Sequence, residues 1–585
     1  MTIKTLISTC IEFEENKSLK NTYFAGDWCF KDKKFIISNK NIFQNVWDNP
    51  KKIVRDFSKI KKIHKKFRNS LSFYLYNLHK KKIPRIVWNN LIFVWLSYYL
   101  FFYYFKWTTV MNIFKKNPKM KFLDYKTNNI FRHTDTYDFY YDSADSDLFN
   151  YFAFKKIILY LKDKKKINIK IVNKSKKIQL RTKVKKIIFK KSLFSFAKKI
   201  ILFFQKIFLN PNLLVIDGIN FRFNFFLNLF SFQFPVPFNN VFEWKNQKRK
   251  IKTDSKNIHV KELKIKGSDF EKFITKNIIN DIPKCFTSGF PYLNDLADQV
   301  KFNPKIIISG SAHIHNEFAK LWMLKQKYIY KKKLFFISHG GVHHPLSYTY
   351  FDYENKMSNY LFEWTYPTNS SKHKLPNTKY TFNSKKRNTS REMITYVGRE
   401  INSYINRPHP GSISISSSHV IKDLEVIIKH LNKDLKSRIL YAPKKEMINF
   451  FLTKINKLLK KEQILPQKTL DENIKKSKLV ICTYAHTAFF DAILSGPTIL
   501  VYNPKLWKHF KHLDKAYKAL KSNQIIFDNP VDAANHINHI WNDIDKWWKK
   551  KEVINAKNLF LKQFNLPPKN KLSDIFETIK IFNKI

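Results

Sequence analysis

The chain has little glycine, little cysteine and few acidic residues for its length. Only 10 of its 585 residues are glycine, and the sequence contains no P-loop, GxGxxG or GxSxG pattern. The four cysteines (Cys10, Cys29, Cys285 and Cys482) are widely spaced, so no pair has the spacing of metal ligands or of a disulfide framework. These shortages exclude the common nucleotide-binding fingerprints and a disulfide-stabilised secreted domain. They fit a reducing cytoplasm.

The scarcity of acidic residues leaves a strongly basic chain. Lysine and arginine number 108 against 45 aspartates and glutamates, which gives a formal charge of +63. Such a charge attracts nucleic acid, anionic lipid or phosphorylated substrates. The lysines are spread along the chain, however, and abundant Lys, Asn, Ile, Phe and Tyr are also what AT-rich codons produce. Charge alone therefore does not establish a function, although it favours association with an anionic membrane surface.

The sequence also lacks an apolar run of transmembrane length. The first ten residues have no apolar core of the signal-peptide kind, and Glu12, Glu14 and Glu15 follow at once. The one membrane candidate, 91–105, is an aromatic run of 15 residues, whereas a spanning helix needs about 20. This run predicts a buried or interfacial helix.

Short apolar runs alternate with helical patterns in the second half of the chain. Hydrophobic residues make up 44% of the sequence, and 585 residues are too many for one ordinary core. Strands are predicted at 213–218, 305–310, 333–338, 393–397, 439–441, 478–482 and 498–502, and helices at 311–330, 420–431, 484–494 and 532–548. This alternation predicts an α/β fold with two doubly wound, Rossmann-like domains.

The best local candidate for an anion site is the segment 483–503. A helix that begins just beyond the carboxyl end of a strand offers free N–H groups and a positive dipole. His486 and Thr487 lie at that start, and Asp491 lies four residues after Thr487, on the same helix face. A hydroxyl near a phosphate and a carboxylate near a ribose would suit a nucleotide. An ordinary capped helix with an exposed Asp491 explains the spacing equally well.

Two weaker candidates follow other predicted turns. His339 could act as a base or a phosphate donor, and Gly340 and Gly341 would let the backbone approach a ligand closely. A turn with an incidental histidine is at least as common. Arg407 precedes a Pro- and Ser-rich turn that could bind phosphate, although a plain surface loop is the simpler interpretation.

Histidines and aspartates raise the question of a metal. His313, His315, His343 and His344 lie within one stretch, and 132–150 is rich in aspartate. No HExxH motif and no EF-hand spacing is present. We therefore predict no metal site.

An ordered set of short motifs resembles a known family. The motifs are 24–29 (FAGDWC), the aromatic stretch 88–107, 338–341 with Glu354 and Trp364, 497–504 with Trp507, and 528–548. The set resembles the transferases of bacterial O-antigen and surface-polysaccharide gene clusters, the leptospiral-type O-antigen transferase family. The matching motifs occur toward both ends of the chain, and the segment of about 110–300 is poorly matched.

The resemblance implies a GT-B-like fold and an order of domains. Residues 1–370 would form an N-terminal, acceptor-side domain, with a helical, aromatic and Lys-rich insertion at about 50–210. Residues 390–550 would form the C-terminal domain that binds a nucleotide-activated donor, and 551–585 a helical extension. The resemblance also assigns the aromatic helix to the protein core.

The resemblance, read together with the local patterns, implies roles for the candidate residues. His486, Thr487 and the adjoining amides would bind the donor phosphate, and Asp491 the ribose. Arg407 and Lys444 would be weaker phosphate contacts. Asp491 stands where the family has a longer carboxylate, and the segment around Lys444 matches only loosely.

His339 would be the catalytic base or a phosphate contact, with Gly340 and Gly341 giving clearance. Ser338 replaces the glutamine that the family usually has before this histidine. These departures leave the catalytic roles open.

The predicted function is a metal-independent glycosyltransferase of surface-polysaccharide, O-antigen or lipopolysaccharide biosynthesis. It would need no cofactor beyond its nucleotide-sugar co-substrate, and its acceptor would be a glycan or a lipid-linked precursor. A cytoplasmic protein is expected, with peripheral attachment to the inner membrane left open. The alternatives are a polymer-phosphate transferase of the glycerol-phosphate kind, a basic nucleic-acid-binding protein, and a non-catalytic scaffold. No specific nucleic-acid partner is expected.

Overall fold

The structure is a computed structural model of the 585-residue chain. It describes residues 3–15, 21–30, 41–126, 131–177, 212–219, 221–232, 241–251, 263–337, 353–362, 392–399, 402–408, 417–443, 449–466, 470–485, 487–502, 509–564, 576 and 579–580.

The first sheet is parallel and has four strands in the order β2-β1-β3-β4. The strands are β1 (Lys4–Ile7), β2 (Thr22–Phe24), β3 (Lys119–Lys126) and β4 (Asn168–Lys177). The sequence patterns predicted none of these four strands. Their apolar residues are interspersed with polar ones, so no continuous apolar run marks them.

Among the described residues, six helices accompany this sheet: α1 (Cys10–Glu15), α2 (Pro50–Leu78), α3 (Arg85–Leu91), α4 (Phe93–Lys116), α5 (Thr136–Asp145) and α6 (Asp147–Asp163). Helix α2 begins with a proline in its first turn and is capped by the Asn49 side chain, which accepts from two backbone N–H groups. Ile60, Phe67 and Leu71 of α2 are fully buried, so this Lys-rich helix has one face in the core.

Helix α4 is buried on nearly all sides. Every residue from Phe93 to Trp107 is buried, so the predicted buried aromatic helix is confirmed. No single helix of the described residues is long and apolar enough to cross a membrane, although α3 and α4, bent by 46°, pass that test as a pair.

The second sheet is also parallel, with strands β5 (Leu213–Val215), β6 (Ile306–Ser309), β7 (Lys333–Ile337) and β8 (Tyr360–Phe362) in that order. The strands predicted near 213, 305 and 333 are therefore confirmed. The helices of this part are α7 (Phe221–Phe230), α8 (Trp244–Gln247), α9 (Asp269–Asp281), α10 (Phe290–Asp298), α11 (Ala312–His315), α12 (Glu317–Tyr328) and α13 (Tyr353–Met357).

The third sheet has five parallel strands in the order β10-β9-β11-β12-β13. They are β9 (Ile394–Val397), β10 (Ile439–Ala442), β11 (Leu479–Cys482), β12 (Thr498–Val501) and β13 (Ile526–Phe527). The four strands predicted after residue 390 are confirmed, and β13 was not predicted.

In the part of the chain that the structure describes, nine helices surround the third sheet: α14 (Ser417–His430), α15 (Lys433–Arg438), α16 (Asn449–Leu458), α17 (Leu470–Lys476), α18 (Thr487–Ser495), α19 (Asp514–Ser522), α20 (Pro530–Ile540), α21 (Ile544–Trp548) and α22 (Lys551–Leu561). The single helix predicted at 532–548 is wrong. The chain turns at 541–543, where Asn542 and Asp543 are residues that favour local turns, and the helix divides into α20 and α21.

The buried apolar side chains form three clusters. One joins the first two sheets and contains both Leu6 and Ile307, and a small one covers the other face of the second sheet. The third cluster belongs to the third sheet and includes Phe560 of α22, from the predicted helical extension. The α/β class with parallel sheets is confirmed, but the described strands form three sheets. The division into two domains and their boundaries stay predictions.

Candidate functional site

Helix α18 starts just beyond the carboxyl end of β11. It begins at Thr487, three residues later than predicted, so Thr487 lies in the first turn. Asp491 lies one turn further along, and both side chains are half-buried. The first N–H groups of a helix have no partner within the helix, and its dipole places about half a positive charge there. This end of α18 is therefore a suitable environment for an anion.

Arg399 lies at the same edge of the sheet and was missed by the sequence analysis. It is two residues beyond β9 and only 5% exposed. Its Nε donates to the Thr483 hydroxyl at 2.6 Å, and its Nη2 donates to the Thr483 carbonyl oxygen at 2.6 Å. Nη2 also donates to Asp423 Oδ2 at 3.1 Å. The guanidinium is thus fixed at the carboxyl ends of β9 and β11. Its partner Thr483 lies four residues before the start of α18.

Gly398 lets the chain pass close to β10 before Arg399. A Cβ at this position would lie 2.6 Å from the Tyr441 hydroxyl oxygen and 3.0 Å from the Ala442 carbonyl oxygen. A glycine and an arginine directly after a buried strand were the signal in the sequence that could have pointed to this residue. The sequence analysis instead selected Arg407 from the same connection.

Arg407 contacts the N-terminal half of the chain. Its Nη1 donates to the Tyr98 hydroxyl at 3.0 Å, and its guanidinium lies 4.9 Å from the centre of the Tyr140 ring. Neighbouring residues of the segment 402–408 bond to the same half, since the Tyr404 hydroxyl donates to Asp147 at 2.6 Å. Arg407 therefore belongs to the contact between the two halves, and its role as a phosphate contact stays a prediction.

A second polar cluster lies at the carboxyl edge of the second sheet. Asp217, just after β5, accepts from Ser309 Oγ at 2.8 Å, from the backbone N–H groups of Gly310 and Ala312 at 3.0 Å each, and from the Ser311 hydroxyl. Burial by itself would raise the pKa of this carboxyl. The hydroxyl groups and the nearby His313 outweigh that effect and lower the pKa.

His313 extends this cluster into the core. Its Nδ1 lies 3.1 Å from Ser309 Oγ and its Nε2 lies 2.9 Å from Glu354 Oε1. The ring stacks on Phe336 of β7 at 3.8 Å. Both ring nitrogens thus have protein partners.

Gly218 and Gly310 allow the two loops of this cluster to meet. Gly218 has a φ of +92°, and a Cβ on it would lie 2.5 Å from the Gly310 Cα. No side chain fits at either position, so the loops after β5 and β6 are held in contact.

Several predicted site residues lie outside the described residues: His339, Gly340, Gly341, Lys444 and His486. Strand β7 ends at Ile337, two residues before His339, at the edge that carries Asp217 and His313. Among the described residues no group of three or more His, Cys, Asp or Glu side chains could hold a metal ion. His315, one of the histidines considered for zinc, has its Nε2 3.1 Å from the Tyr98 hydroxyl, and His343 and His344 lie outside the described part.

Comparison with known proteins gives the family. No curated protein matches the chain. Among solved structures, it is similar to an alpha,alpha-trehalose-phosphate synthase (UDP-forming) from Burkholderia xenovorans in complex with glucose-6-phosphate, with 11% sequence identity and a TM-score of 0.29, over 51% of this chain and 78% of that one. The model of a protein family described as LIC12162 family transferase matches residues 4–579. Because this match spans almost the whole chain, the protein belongs to the LIC12162 family of transferases.

Proposed function

We propose that the protein is a glycosyltransferase that moves a glycosyl group from a nucleotide-activated donor to a surface-polysaccharide or O-antigen precursor. Membership of a transferase family supports the reaction class. The observation that carries the proposal is the arrangement at the carboxyl edge of the third sheet. There Arg399 is fixed against Thr483, and α18 begins at Thr487.

The carboxyl edge of the third sheet suits the phosphates of the donor. The first-turn N–H groups of α18 and the Thr487 hydroxyl are donors, and the helix dipole adds about half a positive charge. Arg399 adds a full charge, which it shares with Asp423 at 3.1 Å. His486 and Lys444 are proposed as further phosphate contacts. Asp491, one turn along α18, would accept hydrogen bonds from the ribose hydroxyls.

These fixed positive groups suit a reaction without a metal ion. When the bond between the sugar carbon and the donor phosphate breaks, negative charge develops on the leaving nucleotide. Preorganised N–H groups and a buried arginine can stabilise that charge without reorganising. The proposed enzyme therefore uses no cofactor besides the nucleotide sugar.

The acceptor would approach from the edge of the second sheet. Its hydroxyl oxygen forms the new bond to the sugar carbon, and its proton passes to His339 as the proposed base. Gly340 and Gly341 would leave room for the acceptor. The acceptor is proposed to be a glycan or a lipid-linked precursor, and the protein to act in the cytoplasm beside an anionic membrane surface, which its charge of +63 favours.

A thermal-shift screen tests the donor site. The purified protein is heated with nucleotides and nucleotide sugars at moderate salt, alongside Asp491→Ala and the control Asp532→Ala. Asp532 is exposed and lies in the first turn of another helix of the same sheet. Stabilisation that depends on the base, is lost in Asp491→Ala and persists in the control is expected.

One result of the same screen would contradict the proposal. Similar, salt-sensitive shifts with every polyanion, unchanged in Asp491→Ala, would mean that diffuse charge binds the ligands. The donor site at α18 would then be rejected.

A further inference from the structure

An open pocket lies at the amino-terminal edge of the first sheet. The carboxyl ends of α4 and α6 and the starts of β3 and β4 surround a volume of about 740 Å³. This is the edge opposite to the carboxyl ends of the strands. The pocket is therefore separate from both polar clusters described above, which lie on the other two sheets.

The pocket is richer in positive charge than the chain as a whole. Four of its eleven lining residues are lysines, whereas lysine and arginine together are 108 of 585 residues. The lysines are Lys115, Lys162, Lys165 and Lys166, and all four are exposed. Within the described part of the chain only Lys166 has an ion pair, with Asp269 at 3.2 Å.

Other groups at the pocket cancel part of this charge. Helices α4 and α6 end here, and each helix end contributes about half a negative charge. Asp269 pairs with Lys166, so these groups offset part of the charge of the four lysines. The lining stays positively charged, which favours a phosphate monoester with its charge of about −1.5 to −2 near neutral pH.

The buried residues of the lining, which we call the floor of the pocket, are apolar. Phe114, Ile167 and Ile169 are buried, and Met111 of the lining is half-buried. Free phosphate would gain nothing from contact with these side chains. A ligand with a charged head and an apolar chain would cover them as well as the lysines.

From the four lysines, the two helix ends and the apolar floor, we infer that this pocket binds a phosphate monoester carried on an apolar chain, the chemistry of an anionic lipid head group. The inference is independent of the proposed glycosyl transfer, because it concerns a different edge of a different sheet. A soluble phosphate is the other source of the same charge, and the test separates the two.

Isothermal titration of the full-length protein tests the pocket. The probes are monomeric dihexanoyl phosphatidic acid, dihexanoyl phosphatidylcholine and inorganic phosphate, at near-physiological salt. The variant Lys162→Gln/Lys165→Gln removes two pocket charges. The control Lys61→Gln/Lys62→Gln removes two exposed charges from α2, so the net charge of the two proteins is the same.

Phosphatidic acid is expected to bind with a Kd that rises about tenfold or more in the pocket variant and stays unchanged in the control. Met111→Ser is expected to weaken the binding of phosphatidic acid and to leave the weak binding of inorganic phosphate unchanged. Equal losses of affinity for phosphatidic acid in the pocket variant and the control would show that diffuse charge binds the lipid. This result would overturn the inference. Equal binding of inorganic phosphate and phosphatidic acid would show that the floor takes no part and overturn the lipid assignment.

Discussion

Several ionisable side chains of this protein are buried, and burial makes the stability that they contribute depend on pH. His64 of α2 is 2% exposed, and its Nε2–H donates to the Phe93 carbonyl oxygen at 3.0 Å. Burial lowers the pKa of this imidazole to about 3, and the nearby Arg68 and Lys356 act in the same direction. His64 is therefore neutral in the folded protein near neutral pH.

His64→Gln should make the protein less sensitive to acid. The unfolded chain binds a proton at His64 below about pH 6.5, whereas the folded chain does so only near pH 3. The stability that neutral His64 contributes is thus present above pH 6.5 and lost as the pH falls. Relative to the variant, wild type should lose about 1.4 kcal/mol per pH unit in that window.

Urea unfolding at stepped pH, followed by tryptophan fluorescence, measures the difference. His430→Gln is the control, since His430 is only half-buried and bonds to the Val426 carbonyl oxygen of its own helix. Parallel pH profiles for wild type and His64→Gln would contradict the expectation.

Among single residues, the sequence analysis identified those whose proposed role depends on local spacing. Thr487 and Asp491 were identified from their separation along one helix, and the structure has both on α18. Arg399 was not identified, although a glycine and an arginine directly after a strand mark its position. Its contact with Thr483, 84 residues away along the chain, is encoded by no local pattern.

At the scale of single elements, α4 combines an apolar surface with one buried charge. Lys106 is 1% exposed, and its Nζ lies 3.6 Å from the centre of the Phe102 ring and 5.4 Å from that of Phe154. No carboxylate of the described residues pairs with it. Burial lowers the pKa of this ammonium group well below its usual value.

Lys106→Met should therefore stabilise the protein by about 1–2 kcal/mol near neutral pH, because an apolar chain of similar length fills the site without a buried charge. The folded pKa is lowered, so the cost of Lys106 is largest at low pH. The gain should shrink as the pH rises toward about 10, where the unfolded lysine also loses its proton. Thermal unfolding at several pH values measures this.

Lys61→Met, an exposed lysine on α2, is the matched control and should leave the midpoint nearly unchanged. A destabilised Lys106→Met would mean that the contact with Phe102 and Phe154 outweighs desolvation.

Element prediction from the sequence succeeded for strongly patterned segments. The aromatic helix and the strand–helix–strand unit from β6 to β7 were found because their apolar residues form continuous runs or recur at helical spacing. The four strands of the first sheet were missed because their apolar residues are interspersed with polar ones. The helix at 532–548 was predicted as one element because its interruption at Asn542 and Asp543 is only a few residues long.

At the scale of the whole molecule, the segment 402–408 connects the two halves of the chain. It follows β9 of the third sheet, yet Ser403 and Tyr404 bond to Asp145 and Asp147 at the junction of α5 and α6. Tyr404 is 1% exposed, and its backbone N–H donates to the Ala144 carbonyl oxygen at 2.8 Å.

Tyr404→Phe should lower the free energy of unfolding by about 1.5–3 kcal/mol, because it removes a hydrogen bond to a charged group and leaves the ring in place. A double-mutant cycle with Asp147→Asn measures the coupling across the two halves. A coupling of about 1 kcal/mol or more is expected.

Tyr330→Phe, at a tyrosine that is 56% exposed, is the control and should have no measurable effect. Additive effects of Tyr404→Phe and Asp147→Asn would show that this contact does not join the halves.

The sequence by itself determined the α/β class, the buried aromatic helix and the existence of α18, because each depends on residues close together along the chain. Only the tertiary structure decided that the strands form three sheets and that Arg399 lies beside Thr483. It also brought Asp217 to Ser309, 92 residues away. These features depend on which strands pair and which loops meet. Such contacts form between distant residues when apolar surfaces are buried together, and no repeat in the sequence specifies them.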